Sequence, residues 1–231
     1  MYFMSVLTDN KPYSKYNGDN YNMGIQERKQ REKEMRRKQI MEAAKKVFSA
    51  KGFSRATMEE IAGEAELSPG TLYLYFKNKE ELHTSLSIDI LEYITILMKK
   101  IIGKKGIDAN EKMEKLKDTF IDVYEYDSMV LINLFHLQSG ETLKNLSPEV
   151  LEQLKETSAD ALGAITSIVQ EGIDQGLFKE RHPVALADII WATYSGVVLW
   201  VDSKRLLNND KDFVRQTLET AFEIMLKGFE K

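Results

Sequence analysis

The sequence predicts an all-α fold of about nine helices, in which a short three-helix head precedes a larger C-terminal helical bundle. Three observations lead to this class. Apolar residues recur at helical spacing through most of the 231 residues, and no segment shows the alternation of a β-strand. Glycine and proline number 13 and 4, too few for a turn-rich β-sandwich. Segments between residues 57 and 82 begin with capping residues, which indicates compact helices joined by tight turns.

The N-terminal part of the chain divides into an irregular segment and one long helix. Residues 1–24 are rich in asparagine, tyrosine, serine, aspartate and glycine without periodicity, so we predict a disordered N-terminal extension. A helix is predicted over residues 25–51, where a glycine follows it. Its first half is charged on all sides, whereas its second half places Ile40, Ala44 and Phe48 on one apolar stripe.

Residues 57–82 predict three short helices with two tight joints. Their starts are marked by capping pairs, which are Thr57 with Glu60, Ser68 with Pro69, and Asn78 with Glu81. Leu72 and Phe76 lie four residues apart on the second helix and are predicted to face inward. Two helices of about two turns with a three-residue joint form a helix-turn-helix, whose second helix lies in the DNA major groove.

These residues carry a family resemblance. The matching positions are Phe48, Gly52, Phe53, Thr57, Ile61 and Ala62, then Leu67, Ser68, Gly70, Thr71, Leu72, Tyr73, Tyr75, Phe76, Asn78, Lys79, Glu80 and Leu82. At these spacings the chain resembles the DNA-binding domain of the TetR family of bacterial repressors, over roughly residues 35–85. One departure is Glu66, where the family usually has glycine. A non-glycine residue with positive φ costs about 1 kcal/mol.

The predicted DNA-binding residues lie in and around the second helix of the pair: Thr57, Ser68, Pro69, Gly70, Thr71, Tyr73, Leu74, Tyr75, Lys77 and Lys79. The resemblance implies that the two tyrosines and Lys79 bind phosphates, which position the protein without reading sequence. Residues 68–71 and Leu74 can approach base edges, where a methyl group can touch a thymine methyl. Lys77 and Lys79 flank a helix N-terminus, which favours a phosphate. Thr57 first serves as a cap.

The distribution of charge agrees with a DNA-binding head. Residues 26–83 contain 13 basic and 10 acidic residues, whereas residues 104–231 contain 15 and 22, and the whole chain has a net charge of −4. This asymmetry is typical of a DNA-binding head on a body that does not bind DNA. The basic segment between Arg28 and Lys38 is either an arm that reaches the minor groove or further phosphates, or a solvated helix face.

The body is predicted to contain the remaining helices. A long helix over 79–103 joins head to body, and five further patterns follow at about 109–126, 128–139, 148–175, 183–203 and 210–229. Glycines and prolines separate these patterns. We therefore expect a DNA-binding domain over residues 25–83 and a ligand-binding and dimerisation domain over residues 84–231.

The resemblance implies a ligand cavity and a dimer interface in the body. The predicted ligand-binding residues combine aromatic rings with polar tips: Tyr124, Phe135, His136, Trp191 and Tyr194. Ordinary core packing is the alternative role for each of them. Small residues at Ala192, Ser195 and Gly196 permit close approach of a helix, either within one chain or, as the family implies, in a two-fold four-helix bundle formed by a homodimer.

Composition excludes several function classes. The chain has no cysteine, which excludes disulfides, thiolate zinc sites and a cysteine nucleophile. Its three histidines are far apart, and it has no Gly-rich phosphate loop, G-x-S-x-G elbow or H-E-x-x-H motif. We expect no enzymatic activity, no catalytic residues, no metal and no cofactor. The apolar run 189–201 is too short to span a bilayer and no signal peptide is evident, so we expect a cytoplasmic protein without a membrane partner.

Together these features predict a homodimeric, ligand-responsive transcriptional regulator, a repressor that a small hydrophobic effector releases from a palindromic double-stranded operator. A ligand that prefers one body conformation would shift helix 79–103 and change the separation of the two recognition helices. The alternative is a ligand-independent architectural DNA-binding protein. The large acidic body argues against it, because a protein that only coats DNA has little use for one.

Overall fold

A computed structural model of the protein describes residues 24–139, 143, 146–205 and 212–231. The described residues form eight helices: α1 (Ile25–Lys51), α2 (Met58–Glu64), α3 (Pro69–Tyr73), α4 (Lys79–Ile102), α5 (Ala109–Ser139), α6 (Pro148–Asp174), α7 (Pro183–Arg205) and α8 (Val214–Phe229). The all-α prediction is therefore confirmed. The predicted disordered extension lies outside the described residues, apart from Gly24.

The described part of the chain divides into two units, with the boundary between residues 38 and 39. Within the first unit, the described residues 25–38 are helical, and nearly all the side chains described there are exposed. The second unit contains the helix-turn-helix and the whole helical body. The domain boundaries expected at residues 24/25 and 83/84 stay predictions.

The short helices begin where the capping residues predict. Thr57 Oγ1 accepts from the Glu60 amide at 3.2 Å, and the Glu60 carboxylate accepts from the Thr57 amide, also at 3.2 Å. The Ser68 hydroxyl accepts from the Thr71 amide at 3.1 Å, directly before Pro69 at the first position of α3. Each cap satisfies an amide that the first helical turn leaves unpaired, and is worth about 1 kcal/mol.

A small apolar core holds α3 in place. Ile40 of α1, Ile61 of α2, and Leu72 and Phe76 in and after α3 are all at most 1% exposed. Leu67, in the joint between α2 and α3, packs against the same core. Full burial of such a side chain contributes about 1.5–3 kcal/mol, so the core fixes which face of α3 points outward.

The body is built around α4. This helix packs against α5 and α6, while α7 packs against α5, α6 and α8. Lys112 of α5 is 4% exposed, and its ammonium donates to Glu171 of α6 at 2.7 and 2.9 Å and to the Ile102 carbonyl at 3.1 Å. One buried lysine therefore joins three helices at the C-terminal end of α4.

Helix α5 corresponds to two of the predicted helices. It bends at Asp127, whose φ of −152° and ψ of 72° are not helical, and the prediction separated the helices at this same residue. The Asp127 carboxylate accepts from the Val130 amide at 3.1 Å and so caps the second half. Because no loop separates the halves, the described residues contain eight helices rather than the nine predicted.

Helix α7 is more apolar than the other body helices. Over Pro183–Lys204 it is long and apolar enough, by length and composition alone, to cross a membrane, with a mean hydropathy of 1.7. The sequence argument against a membrane span considered only residues 189–201, whereas the apolar helix is longer, so length alone does not exclude a span. A third of this stretch is buried against the rest of the protein, and core helices of soluble proteins pass the same test.

Candidate functional site

The joint between α2 and α3 has the predicted left-handed residue. Glu66 has a φ of +55° and is the non-glycine residue with positive φ among those the structure describes. The amides on either side of this conformation are satisfied, because Glu66 donates to the Gly63 carbonyl at 3.0 Å and Leu67 donates to the Ala62 carbonyl at 2.8 Å. The substitution of glycine by glutamate is thus accommodated with the turn intact, and α3 keeps a defined direction.

The outer surface of α3 is open. Leu74 is 81% exposed and Tyr73 is 47% exposed, although both are large apolar or aromatic side chains. Gly70, one turn before Leu74, is exposed, and a Cβ atom added there would meet only the Ser68 hydroxyl, at 3.9 Å. A backbone that can be approached closely therefore lies beside an exposed apolar side chain, which suits contact with base edges and a thymine methyl.

The other predicted DNA-binding residues surround this surface and differ in their exposure and in the hydrogen bonds that they already make. Ser68, Pro69 and Lys77 are exposed, whereas the Thr71 hydroxyl lies 2.9 Å from that of Ser68 and is half-buried. Tyr75 is half-buried against the head core. Thr57 is exposed, and its hydroxyl already serves the cap of α2. The structure therefore brings the predicted residues together around α3.

Lys79 has a structural task that the sequence did not reveal. Its ammonium donates to the carbonyls of Phe53 at 2.8 Å, Ala56 at 3.0 Å and Ser54 at 3.4 Å, and lies 4.6 Å from the centre of the Phe53 ring. An ammonium has three N–H donors, so these carbonyls occupy it fully. The predicted phosphate contact would require some of these bonds to break, and it stays a prediction.

His83 joins the head to the body, and sequence reasoning missed it. Its ring lies 5.4 Å from the ring of Phe48 and 4.5 Å from that of Phe53, and Asn133 of α5 lies near enough to raise its pKa. Burial lowers the pKa of His83 below its ordinary value of 6.5, more than Asn133 raises it. Only tertiary contacts identify this residue, since no local motif surrounds it.

Three of the five predicted ligand-binding residues, Phe135, Trp191 and Tyr194, form one aromatic cluster in the body. Tyr194 stacks on Phe120 with ring centres 4.1 Å apart, and Phe135 packs edge-on against Trp191 at 5.7 Å and Tyr194 at 5.4 Å. The Tyr194 hydroxyl donates to the Phe120 carbonyl at 2.8 Å, and burial holds its pKa well above the usual range. In this structure these rings fill the interior and contact one another.

Of the remaining two predicted residues, Tyr124 lies close enough to Tyr194 to raise its pKa, whereas His136 does not face the interior. The Tyr124 hydroxyl is committed to Asp212, at 2.9 Å, beside the start of α8. His136 is exposed, although it follows the buried Phe135 directly. Neighbouring positions on a helix point about 100° apart, which explains why one is buried and the other is not. A shared lining formed by all five is therefore not seen, and their binding roles stay predictions.

An open groove of about 590 Å³ lies between α4 and α6. It is lined by Glu92, Thr95, Ile96, Lys99, Glu156, Thr157, Ala159 and Asp160. Lys99 is one of the basic residues near the end of α4 that could meet an anionic ligand, but its ammonium lies 2.6 Å from the Asp160 carboxylate. Three acidic residues against one lysine make this groove unfavourable for phosphates.

Helices α7 and α8 present apolar side chains that none of the described residues covers. These exposed side chains are Ile189 at 49%, Trp200 at 62%, Phe213 at 45% and Ile224 at 65%. Between Ile189 and Trp200 the same face of α7 carries the small residues Ala192 and Gly196, both exposed. Large exposed apolar patches of this kind mark interaction sites.

Comparison with known proteins agrees with this geometry. Residues 40–86 match the family model of bacterial regulatory proteins of the tetR family. The chain is 28% identical over 193 residues to the fatty acid metabolism regulator protein of Bacillus subtilis (strain 168), which covers 82% of this chain and 93% of that protein. It is 26% identical over 149 residues to the repressor NicS of Pseudomonas putida, covering 62% and 66% of the two chains.

Among solved structures, the chain resembles that of the transcriptional regulator FadR from Bacillus subtilis in complex with stearoyl-CoA. The TM-score is 0.64 and the identity 25%, covering 83% of this chain and 98% of that chain. The fold and the exposed recognition surface define a helix-turn-helix transcriptional regulator. More closely, residues 40–86 match the TetR family, and the relatives named here are regulators of transcription.

Proposed function

We propose that this protein is a homodimeric repressor that binds a two-fold symmetric DNA operator and is released from it by a hydrophobic effector. The observation that carries the proposal is the open surface of α3 at Gly70, Tyr73 and Leu74, held outward by a buried head core. Recognition by one short helix covers only a few base pairs. A dimer with two such helices reads two half-sites about 34 Å apart, which gives useful specificity.

The apolar surface on α7 and α8 supports the dimer. In a two-fold assembly the same patch on each copy covers the other, so one face of two helices per chain forms a four-helix interface. This arrangement also buries the side of α7 that is too apolar for a solvent-exposed helix. It accounts for the membrane-like composition of α7 in a protein acting on DNA, for which we propose a cytoplasmic location.

For the effector we propose a long-chain fatty acyl thioester. Two relatives carry names that refer to fatty acid metabolism or to stearoyl-CoA. The aromatic cluster around Phe120, Phe135, Trp191 and Tyr194 offers a largely apolar interior, which suits an acyl chain and not a sugar. Since these rings are in contact, the acyl chain would have to separate them. The body therefore has two states, and the ligand would favour the open one.

Helix α4 provides the connection between effector and DNA. Its first turn carries the head contacts of Lys79 and His83, whereas its later turns pack against α5 and α6 of the body. A change in packing around α5 therefore acts on a rigid helix that extends into the head. We propose that this changes the distance between the two copies of α3 and so weakens binding to both half-sites together.

Selection of duplexes from a randomised pool, followed by effector titration, tests the proposal. We expect enrichment of palindromic sequences with half-sites about one helical turn apart. We also expect stearoyl-CoA to release the selected duplex, measured by fluorescence anisotropy, while free CoA and a hydrophilic sugar leave it bound. Tyr73→Ala, on the exposed surface of α3, should weaken binding without altering helix content.

The same experiment separates the repressor from the architectural alternative. An architectural protein would enrich no palindrome and would bind all duplexes alike, because it relies on phosphate contacts and DNA deformability. Enrichment of a palindrome with no response to any acyl thioester would keep the DNA-binding proposal and reject the effector. Release by a sugar alone would contradict the apolar interior as the binding site.

A further inference from the structure

The N-terminal part of α1 precedes the region that matches the family model, which begins at residue 40. Its residues 26–38 contain seven basic and three acidic side chains. They are helical, and every side chain described among them is exposed except the half-buried Arg37. Because this segment is hardly buried, its side chains contribute little to a hydrophobic core. Core packing therefore does not explain why the segment is positively charged.

Of the seven basic residues on this helix, three form a row on one face and three, Arg28, Arg31 and Lys38, lie on the other side. Lys29, Lys33 and Arg37 follow one another at spacings of four residues, which places them in a row on one face. Arg36 flanks this row, and both arginines also make a contact within the protein. The carboxylates of Glu27 and Glu34 fall on the opposite face, each four residues before a basic residue there, namely Arg31 and Lys38. Glu32 flanks the row beside Arg36.

We propose that the row Lys29, Lys33 and Arg37 is a second surface for the DNA phosphate backbone, used in addition to α3. The proposal rests on the function proposed above. Like charges four residues apart destabilise a free helix by about 0.2–0.5 kcal/mol per pair, and a polyanion removes that repulsion. The row extends over about 12 Å, a length along which one DNA strand carries three or four phosphates.

DNA fits this surface better than an anionic membrane does. A helix that binds membranes buries an apolar face beside its basic one. Residues 26–38 contain a single apolar side chain, Met35, which is 63% exposed. The same helix α1 continues into residues 39–51, which form part of the DNA-binding head. A purely electrostatic surface on this helix therefore suits the phosphates of the duplex that the head binds.

Two double variants of the full chain with equal charge test this surface. Lys29→Gln/Lys33→Gln removes two charges from the row, and Arg31→Gln/Lys38→Gln removes two from the opposite face. Glutamine has nearly the helix propensity of lysine, so both should keep α1, which circular dichroism checks. Binding to a duplex of about 30 base pairs of random sequence is measured from roughly 50 to 200 mM salt.

The row variant should lower the slope of log K against log salt by about 1.8, and the opposite-face variant should leave it unchanged. Over that salt range the wild type then loses about tenfold more affinity than the row variant. Lys29→Arg/Lys33→Arg should retain the wild-type slope. Equal losses in both glutamine variants, or none in the row variant, overturn the proposal while DNA binding itself stands. A wild-type chain that binds no duplex overturns both this proposal and the proposed function.

Discussion

The substitution Gly196→Leu tests the dimer at a position where the single chain has room. Gly196 is exposed on α7, and a Cβ atom added there meets nothing within 4 Å. In an isolated chain a leucine would therefore fit, and it would favour the helix by about 0.8 kcal/mol over glycine. A loss of dimer caused by this substitution therefore indicates another molecule packed against α7.

In a two-fold dimer the cost is counted twice, because each copy contributes one leucine to the interface. Overpacking costs about 1–3 kcal/mol per site, or about 2–6 kcal/mol per dimer. At 1.4 kcal/mol for each factor of ten, the dissociation constant of the dimer should rise by about 30-fold to 10⁴-fold. DNA affinity should fall with it, since a monomer reads only one half-site.

Sedimentation equilibrium of both proteins over nanomolar to micromolar concentrations measures this change. Gly163→Leu is the matched control, because Gly163 is exposed on α6 and a Cβ atom there also meets nothing within 4 Å. It should leave the dimer intact. The reasoning fails if the wild type is monomeric at micromolar concentration, or if both leucine variants dimerise as the wild type does.

Three further predictions concern stability. Gly172→Ala should lower the free energy of unfolding, measured in urea, by about 1–3 kcal/mol, because the added Cβ would lie 2.1 Å from the Phe178 ring. If the same substitution costs as much in a Phe178→Leu background, this explanation is wrong. Glu66→Gly should be more stable than Glu66→Ala by about 0.5–1 kcal/mol, since only glycine relieves the positive φ; equal stabilities would refute it. Burial lowers the pKa of His83 in the folded protein, so below about pH 6.5 the unfolded chain binds more protons than the folded one. The free energy of unfolding should therefore decrease as the pH is lowered below that value. In His83→Phe, the melting temperature should depend less on pH.

Local chemistry made the head largely predictable. Capping depends on residues three apart in sequence, so Thr57 with Glu60 and Ser68 before Pro69 could be interpreted without tertiary information. The left-handed joint at Glu66 followed from the family position that usually holds glycine. The break at residue 127 was also predicted, and a single non-helical residue rather than a loop separates the two halves of α5.

Side-chain partners that are distant in sequence could not be predicted. Lys79 was assigned to phosphate because it begins a helix, but three carbonyls of residues 53–56 receive its hydrogen bonds, and they lie 23 or more residues earlier. His83 likewise depends on Asn133 of α5. For the body, helical periodicity indicates which residues are buried but not which ring contacts which, so the exposed His136 was grouped with buried rings.

The bend in α5 has an electrostatic consequence for how this protein responds to its surroundings. The Asp127 carboxylate caps the second half of α5 through Oδ1, while Oδ2 lies 3.6 Å from the ammonium of Lys45 on α1. Both side chains are partly exposed, so dissolved ions weaken this attraction. A rotation of residues 128–139 would move this carboxylate relative to Lys45 of α1. We therefore expect ionic strength to weaken this contact between α1 and α5 in addition to the proposed contacts with DNA phosphates.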